Sequence, residues 1–195
     1  MVGCVGTAVG NFMISRFSAA VVAAAFLAIP SHAAAPAKAN GVTPQDQQAM
    51  VGLIKYLYEG YANGVADRKS YFETVPWDID TGGIVAKLDK CQTVTGDQVI
   101  DFDYPSDSQD PMIQNLSVVY EGSTKPGHAT VKATFGRGEG KPVVLHYDMT
   151  LYQEAPLARR WGVSNIRIED ADGKQDMLKN LKEILAGDCK TFAKD

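Results

Sequence analysis

Apolar residues along this chain recur at two different periods. Between Thr43 and Tyr61 they fall at Met50, Leu53, Ile54, Leu57, Tyr58 and Tyr61, steps of three and four that place them on one face of a helix. Thr43 can cap that helix, Pro44 suits its first position, and Asp46 sets a carboxylate at the positive end of the dipole. Asn63 and Gly64 are stop residues, and Tyr56, off the stripe, is expected at the surface. The stretch VADRKSYFETVPWDIDTGG follows, interrupted by Pro76 and the pair Gly82-Gly83. It reads as a short helical turn and loop, with Tyr71, Phe72 and Trp77 covering one end of the core. From Gly83 to about Thr93, the spacing of Ile84, Val85, Leu88 and Cys91 predicts a second, shorter helix.

After the aspartate-rich stretch DFDYPSDSQD, Asp101 to Asp110, the period falls to two. NLSVVYEG places Leu116, Val118 and Tyr120 on one face, and HATVKATF places Ala129, Val131, Ala133 and Phe135 there. Beyond the glycine-rich connection GRGEGKP, Val143, Leu145, Tyr147, Met149 and Leu151 alternate with Val144, His146, Asp148, Thr150 and Tyr152. RRWGVSNIRIED changes parity midway, which a bulge at Ser164 and Asn165 would repair. KQDMLKNLKEILAG closes as an amphipathic helix through Met177, Leu178, Leu181, Ile184 and Leu185, ending at Gly187. The pattern predicts an α+β domain: a curved, antiparallel four-stranded sheet wrapped around an N-terminal helix, a short second helix and a C-terminal helix. One such domain spans residues 44–189, with a linker over 36–43 and a flexible tail over 190–195.

The N-terminus changes the picture. From Met13, the cation Arg16, an apolar run from Ala19 to Ile29, Pro30 and then small residues follow the order of a secretory signal peptide over residues 1–35. Met13 is an alternative start, because the uncharged MVGCVGTAVGNF before it fits no region of such a peptide. The apolar run is far shorter than the roughly 20 residues of a membrane-spanning helix. Cys4 precedes the run, where a lipoprotein cysteine would follow it. The expected location is the periplasm of a Gram-negative bacterium. Lysine and arginine total 19 against 23 aspartates and glutamates, a net charge of −4 that loss of Arg16 takes to −5. With no basic stripe, nucleic acid and anionic membrane are not expected partners. Only Cys91 and Cys189 survive processing, and export supplies the oxidant for a bond between them, the alternative being two separate thiols.

DFDYPSDSQD, the late RRWGVSNIRIED and the final MLKNLKEIL give the chain, over Pro44 to Leu185, a resemblance to small exported bacterial proteins of unknown function in the nuclear transport factor 2-like superfamily. That resemblance implies a cone-shaped α+β domain in the periplasm with no assigned chemistry. Members of the superfamily include isomerases, dehydratases and plain binding modules, so it does not choose a function.

Individual residues are therefore weighed on their own chemistry. As a calcium loop of the helix-loop-helix kind, the stretch from Asp101 fails at Pro105, Ser106 and Met112, which leaves only an irregular calcium site as a metal reading. As a catalytic pair its aspartates would need a buried pocket that separates their pKa values. The stretch reads instead as a solvated turn, with Asp101, Asp103, Gln109 and Asp110 as candidate contacts for a ligand or partner, and loss of Asp101 and Asp103 together should cost little stability. His146 and Asp148 share a strand face, with His128 on the next strand, but this is the polar face, where water keeps pKa values ordinary. No Gly-x-Ser-x-Gly elbow is present, and GRGEGKP joins two strands without the Gly-Lys-Ser/Thr and helix of a phosphate loop. Catalytic, cofactor and metal residues are thus not expected. The sequence favours a non-enzymatic module that binds a protein or small ligand, as a monomer or weak homodimer. Its alternatives are an enzymatic or small-molecule domain with a pocket between the first helix and the sheet, and an immunity or inhibitor protein against a secreted hydrolase.

Overall fold

The computed structural model describes residues 41–62, 74–100, 102–108, 112–138, 140–155, 158–170 and 173–193. The expected signal peptide, Asn63-Gly64, Tyr71 and Phe72 lie outside them. Helix α1, Pro44–Ala62, opens on a reciprocal cap. The Asp46 amide donates to Thr43 Oγ1 at 3.1 Å, while Asp46 Oδ2 accepts from the Thr43 amide at 2.9 Å and its hydroxyl at 2.7 Å. This is a capping box with aspartate in the place of the usual glutamate. The other oxygen, Oδ1, accepts from Trp161 Nε1 at 3.0 Å, so one carboxylate both starts the helix and fixes it to the sheet. Met50, Ile54, Leu57 and Tyr58 are buried, and Tyr56 is exposed, as the stripe predicts.

Helix α2, Ile79–Thr95, begins four residues before the predicted Gly83. The Asp78 carboxylate accepts from the Thr81 amide at 2.8 Å and supplies the start. A good N-cap outweighs the helix-breaking tendency of Gly82 and Gly83, which lie inside the first two turns. Gly96, at φ 77°, ends the helix by returning its N–H to the Gln92 carbonyl.

The sheet is an open antiparallel meander, β1 (Gln114–Lys125), β2 (His128–Gly136), β3 (Val143–Ala155), β4 (Ala158–Asp170) and β5 (Gly173–Asp176), in that spatial order. It has five strands where four are predicted. Gly173–Asp176 pairs with β4, and helix α3, Met177–Ala186, starts only after Asp176, whose carboxylate accepts from the Lys179 amide at 3.0 Å. Sequence periodicity merges Lys174, Gln175 and Asp176 with the helix, because a four-residue strand is too short to register a period of its own.

The bulge falls where the parity change places it. Asp148 pairs with Asn165 and Met149 with Val163, which leaves Ser164 as the extra residue. Ser164 donates its hydroxyl to the Asp148 carbonyl at 3.0 Å and offers its own carbonyl to Thr81 Oγ1 at 2.8 Å. Asn165 Oδ1 accepts from the Leu178 amide at 2.9 Å, and its Nδ2 donates to Asp176 at 3.1 Å. The bulge thereby reaches the first turns of both α2 and α3. Beyond it, the backbone of Pro76 and Asp78 bonds to Val163 at 2.8 and 2.9 Å. Gly162 permits that approach: a Cβ there would stand 2.7 Å from the Asp78 nitrogen.

The apolar face of β2, β3 and β4 packs against the buried residues of α1, α2 and α3 in one core. Cys91 on α2 and Cys189 after α3 lie in it at disulfide distance, with Sγ–Sγ 1.97 Å and Cα–Cα 5.8 Å. Residues 190–193, expected as part of a loose tail, instead turn back on α2: Lys87 Nζ donates to the Ala193 carbonyl at 3.1 Å and Phe192 packs against the core.

Candidate functional site

Two clusters of polar side chains have the composition of a site, and they lie on opposite sides of the sheet. The first is the aspartate-rich turn. Pro105 presets the bend, the Asp103 carbonyl accepts from the amides of Ser106 and Ser108 at 3.2 and 3.4 Å, and Asp107 takes φ 53°. The turn is not solvated. Asp103 is 2% exposed, Ser106 0% and Asp107 5%. The Asp103 carboxylate accepts from the Tyr61 hydroxyl at 2.8 and 2.9 Å and from the Ser106 hydroxyl. Arg137 reaches Asp107 Oδ2 at 3.0 Å and also donates to its carbonyl. Tyr58 donates to the Pro105 carbonyl at 2.8 Å, which leaves Tyr147, at 2.8 Å, to donate to Tyr58. The solvated reading fails because two tyrosines of the α1 stripe carry hydroxyls that need acceptors, and this turn supplies them.

This cluster is a clasp between α1, the turn and the sheet. Burial pushes the Tyr58 hydroxyl far above the ordinary phenol range, and the neighbouring Tyr147 adds to the rise. Burial does the same to Tyr147, although the bond to Tyr58 works the other way. Both stay neutral phenols at biological pH, so neither can serve as a tyrosinate base. The rings of Phe135 and Tyr147 stand 5.5 and 6.4 Å from that of Tyr58 and fill the space between α1 and the apolar face of the sheet. Of the four candidate contact residues, Asp103 is enclosed in the clasp, while Asp101, Gln109 and Asp110 lie outside the described residues.

The second cluster is the polar face of the sheet. His146 and Asp148 share this face, but each turns to other partners. Asp148 accepts two bonds from Arg167, from Nε at 2.9 Å and NH2 at 2.8 Å, and one from Thr130 at 3.4 Å. That carboxylate, above all, holds Arg167 above its usual range. His146 instead lies 2.6 Å from Glu121 through Nδ1 and 3.8 Å from Glu169 through Nε2. Lys132 meets Glu121 at 3.4 Å and Lys174 meets Glu169 at 2.8 Å. Burial pushes the Glu121 carboxyl up, but the bond and charge of His146 and the Lys132 ammonium outweigh it and leave Glu121 below its usual range. His128 lies on the same face but pairs in register with Thr150, away from His146. The sequence pattern gives this face its residues but not its partners: Glu121 sits within a register shift of β1, between Tyr120 and Gly122, and Glu169 and Arg167 keep their parity only through the bulge.

Beside this charged row lies a groove of about 410 Å³ lined by Thr124, His128, Thr130, Asp148, Asn165 and Arg167, among others. A second hollow of about 420 Å³, over Lys179, Lys182 and Ala186 of α3, shares Asn165 and Leu178 with it as a common wall. Among the described residues no three His, Cys, Asp or Glu side chains gather so as to hold a metal ion, and no helix is long and apolar enough to cross a membrane. The chain matches no family model, no curated protein and no solved structure.

Proposed function

We propose that the protein is an exported binding or interaction module, without catalysis of its own, that receives its partner on the polar side of the sheet, in the groove walled by Asn165 and Leu178. The contrast between the two clusters carries this reading. Polar groups on the covered side are closed off from water in the clasp, whereas those of the groove, though paired with one another, line open space and stay in reach of solvent. A catalytic site needs titrating groups held in a water-poor pocket, and the described residues pack aromatic rings where such a pocket would lie. Export to the periplasm belongs to the same proposal, supported by the N-terminal sequence and by the pair of cysteines at disulfide distance. So does a place in the nuclear transport factor 2-like superfamily, which the order of two helices, an antiparallel meander and a last helix supports.

Site-directed photo-crosslinking in the periplasm tests the reading. A photoreactive residue at Leu178 or Thr130 should capture one and the same partner, and one at Tyr56, on the outward side of α1, should not. Capture from Tyr56 alone, or turnover of a substrate that is lost on substituting a clasp residue in a protein that still folds, would overturn it.

A further inference from the structure

One ring nitrogen on the polar face has no partner. His146 Nε2 is shut off from solvent and receives or donates no hydrogen bond. Buried polar atoms are paired so regularly that such an exception asks for a cause. The other nitrogen, Nδ1, stands 2.6 Å from Glu121 Oε2, and Glu169 Oε2 stands 3.8 Å from Nε2. A neutral imidazole carries a single N–H. Held on Nδ1, it serves Glu121 and turns a lone pair toward the Glu169 carboxylate. Held on Nε2, it deprives Glu121 of its donor. An imidazolium donates from both nitrogens and faces a carboxylate with each.

The surrounding charges come from every strand. Glu121 lies on β1; Lys132, on β2, is directly opposite His146; Asp148 shares β3; Arg167, opposite on β4, and Glu169 complete the row, with Lys174 and Asp176 on β5. Two cations beside the ring oppose a third positive charge, but each is paired with a carboxylate, Arg167 with Asp148 and Lys132 with the other oxygen of the Glu121 that faces the ring. The carboxylates at the two ends of the ring face it directly. Glu121 reaches His146 from β1 across β2, so the contact pins an edge strand that otherwise pairs on one side only among the described residues.

We propose that His146 is a proton-operated catch. As an imidazolium it ties β1, through Glu121, to β4, through Glu169; on losing its proton it gives up the charge of both pairs and keeps a single N–H for one carboxylate, so its hold on β1 weakens. The catch is closed while the ring carries both protons and opens when one is lost. This inference concerns the edge of the sheet and does not depend on where a partner binds.

Nitrogen-15 NMR of the ring, with amide-exchange protection of β1 and β2 followed from acidic to basic pH, tests the proposal. At the acidic end both His146 nitrogens should carry protons, and β1 amides from Val119 to Gly122 should be protected several-fold more than at the basic end, with the change tracking the ring's own titration. Protection of β2 should stay level. His146→Gln should abolish the step in β1, and Glu169→Gln should reduce it while the Glu121 contact persists. A step in β1 that survives His146→Gln would overturn the catch. Should that variant not fold, a wild-type ring that titrates with no matching change in β1, or an Nε2 that never carries a proton, would overturn it equally.

Discussion

The two sides of the sheet use the same kinds of side chain to opposite ends. On the covered side Tyr58, Tyr61, Tyr147, Asp103 and Ser106 form a dry clasp in which each hydroxyl has a fixed role. On the open side Glu121, Lys132, His146, Asp148, Arg167 and Glu169 form a row of pairs that water partly screens. Polar groups in the clasp are largely shut off from water when a partner is removed, whereas those on the open face can return to solvent. Stability should therefore depend steeply on the covered side and weakly on the open one. Function should follow the reverse order.

The largest expected loss tests whether the covered side holds the fold. Cys91 and Cys189 are fully buried and 98 residues apart in sequence, which in the chain-entropy account corresponds to about 4 to 5 kcal/mol for an unstrained bond. Cys91→Ala should lower unfolding free energy by about 2 to 5 kcal/mol in denaturant titrations under oxidising conditions. The same substitution under reducing conditions should change it far less. Equal effects in both would show that the loss comes from the cavity and not from the bond.

Next in size is the clasp itself. Asp103→Ala removes the carboxylate to which Tyr61 and Ser106 donate; Ser106 keeps the Asp103 and Ser108 carbonyls at 3.4 and 3.3 Å and Tyr61 is half-buried, so a loss of about 1 to 2 kcal/mol, within the range for a buried hydrogen bond left unmade, is expected by chemical denaturation. Asp103→Asn keeps one acceptor oxygen and should fall between that variant and the wild type. A loss within about 0.5 kcal/mol, the range of ordinary surface substitutions, would mean that the turn is in contact with water after all and would erase the contrast.

The difference between the faces also explains what could be read from sequence. Alternation in β2 and β3 marked Val131, Ala133, Phe135, Leu145, Tyr147 and Met149 as one buried face, and their burial follows it, because a two-residue period is a local property of the chain. The parity change around Ser164 was equally legible, since a single extra residue inverts every side chain after it. The clasp was not. Its turn is composed of Asp, Pro and Ser, which read as exposed turn residues, and what buries them is Tyr58 and Tyr61, more than forty residues earlier. The stripe showed that these tyrosines face inward; it could not say that their hydroxyls would need acceptors there, though that requirement was the available clue. The early start of α2 and the short β5 were hidden by a related cause, since both depend on one capping aspartate, Asp78 and Asp176, and not on a period.

The smallest effects belong to the open face, and they decide whether its charges serve the fold or something else. Asp148 and Arg167 make a two-bond pair, but the side chains are 31% and 41% exposed, so solvent screening keeps the pair's contribution within about 1 kcal/mol. Asp148→Ala should thus unfold close to the wild type while removing the anchor of Arg167 in the groove, and crosslinking from Leu178 should weaken more than stability does. The pH dependence sharpens the point. His146 and Lys132 hold Glu121 below its usual range in the folded protein despite burial, so the stability it lends is present above the pKa of the unfolded carboxyl and lost as pH falls through the lower, folded value. Asp46 follows the same sign: burial raises its carboxyl, but the bonds from Trp161 and Thr43 and the charge of Arg159 prevail and lower it. Acid titrations of unfolding should accordingly show Glu121→Gln with a slightly shallower acid limb than the wild type, by a small fraction of the effect of Asp103→Ala. An Asp148→Ala or Glu121→Gln variant that lost as much stability as the clasp variant would make the open face a structural element like the covered one. It would then have no polar groups to spare for a partner, and the binding reading would have to move to another surface.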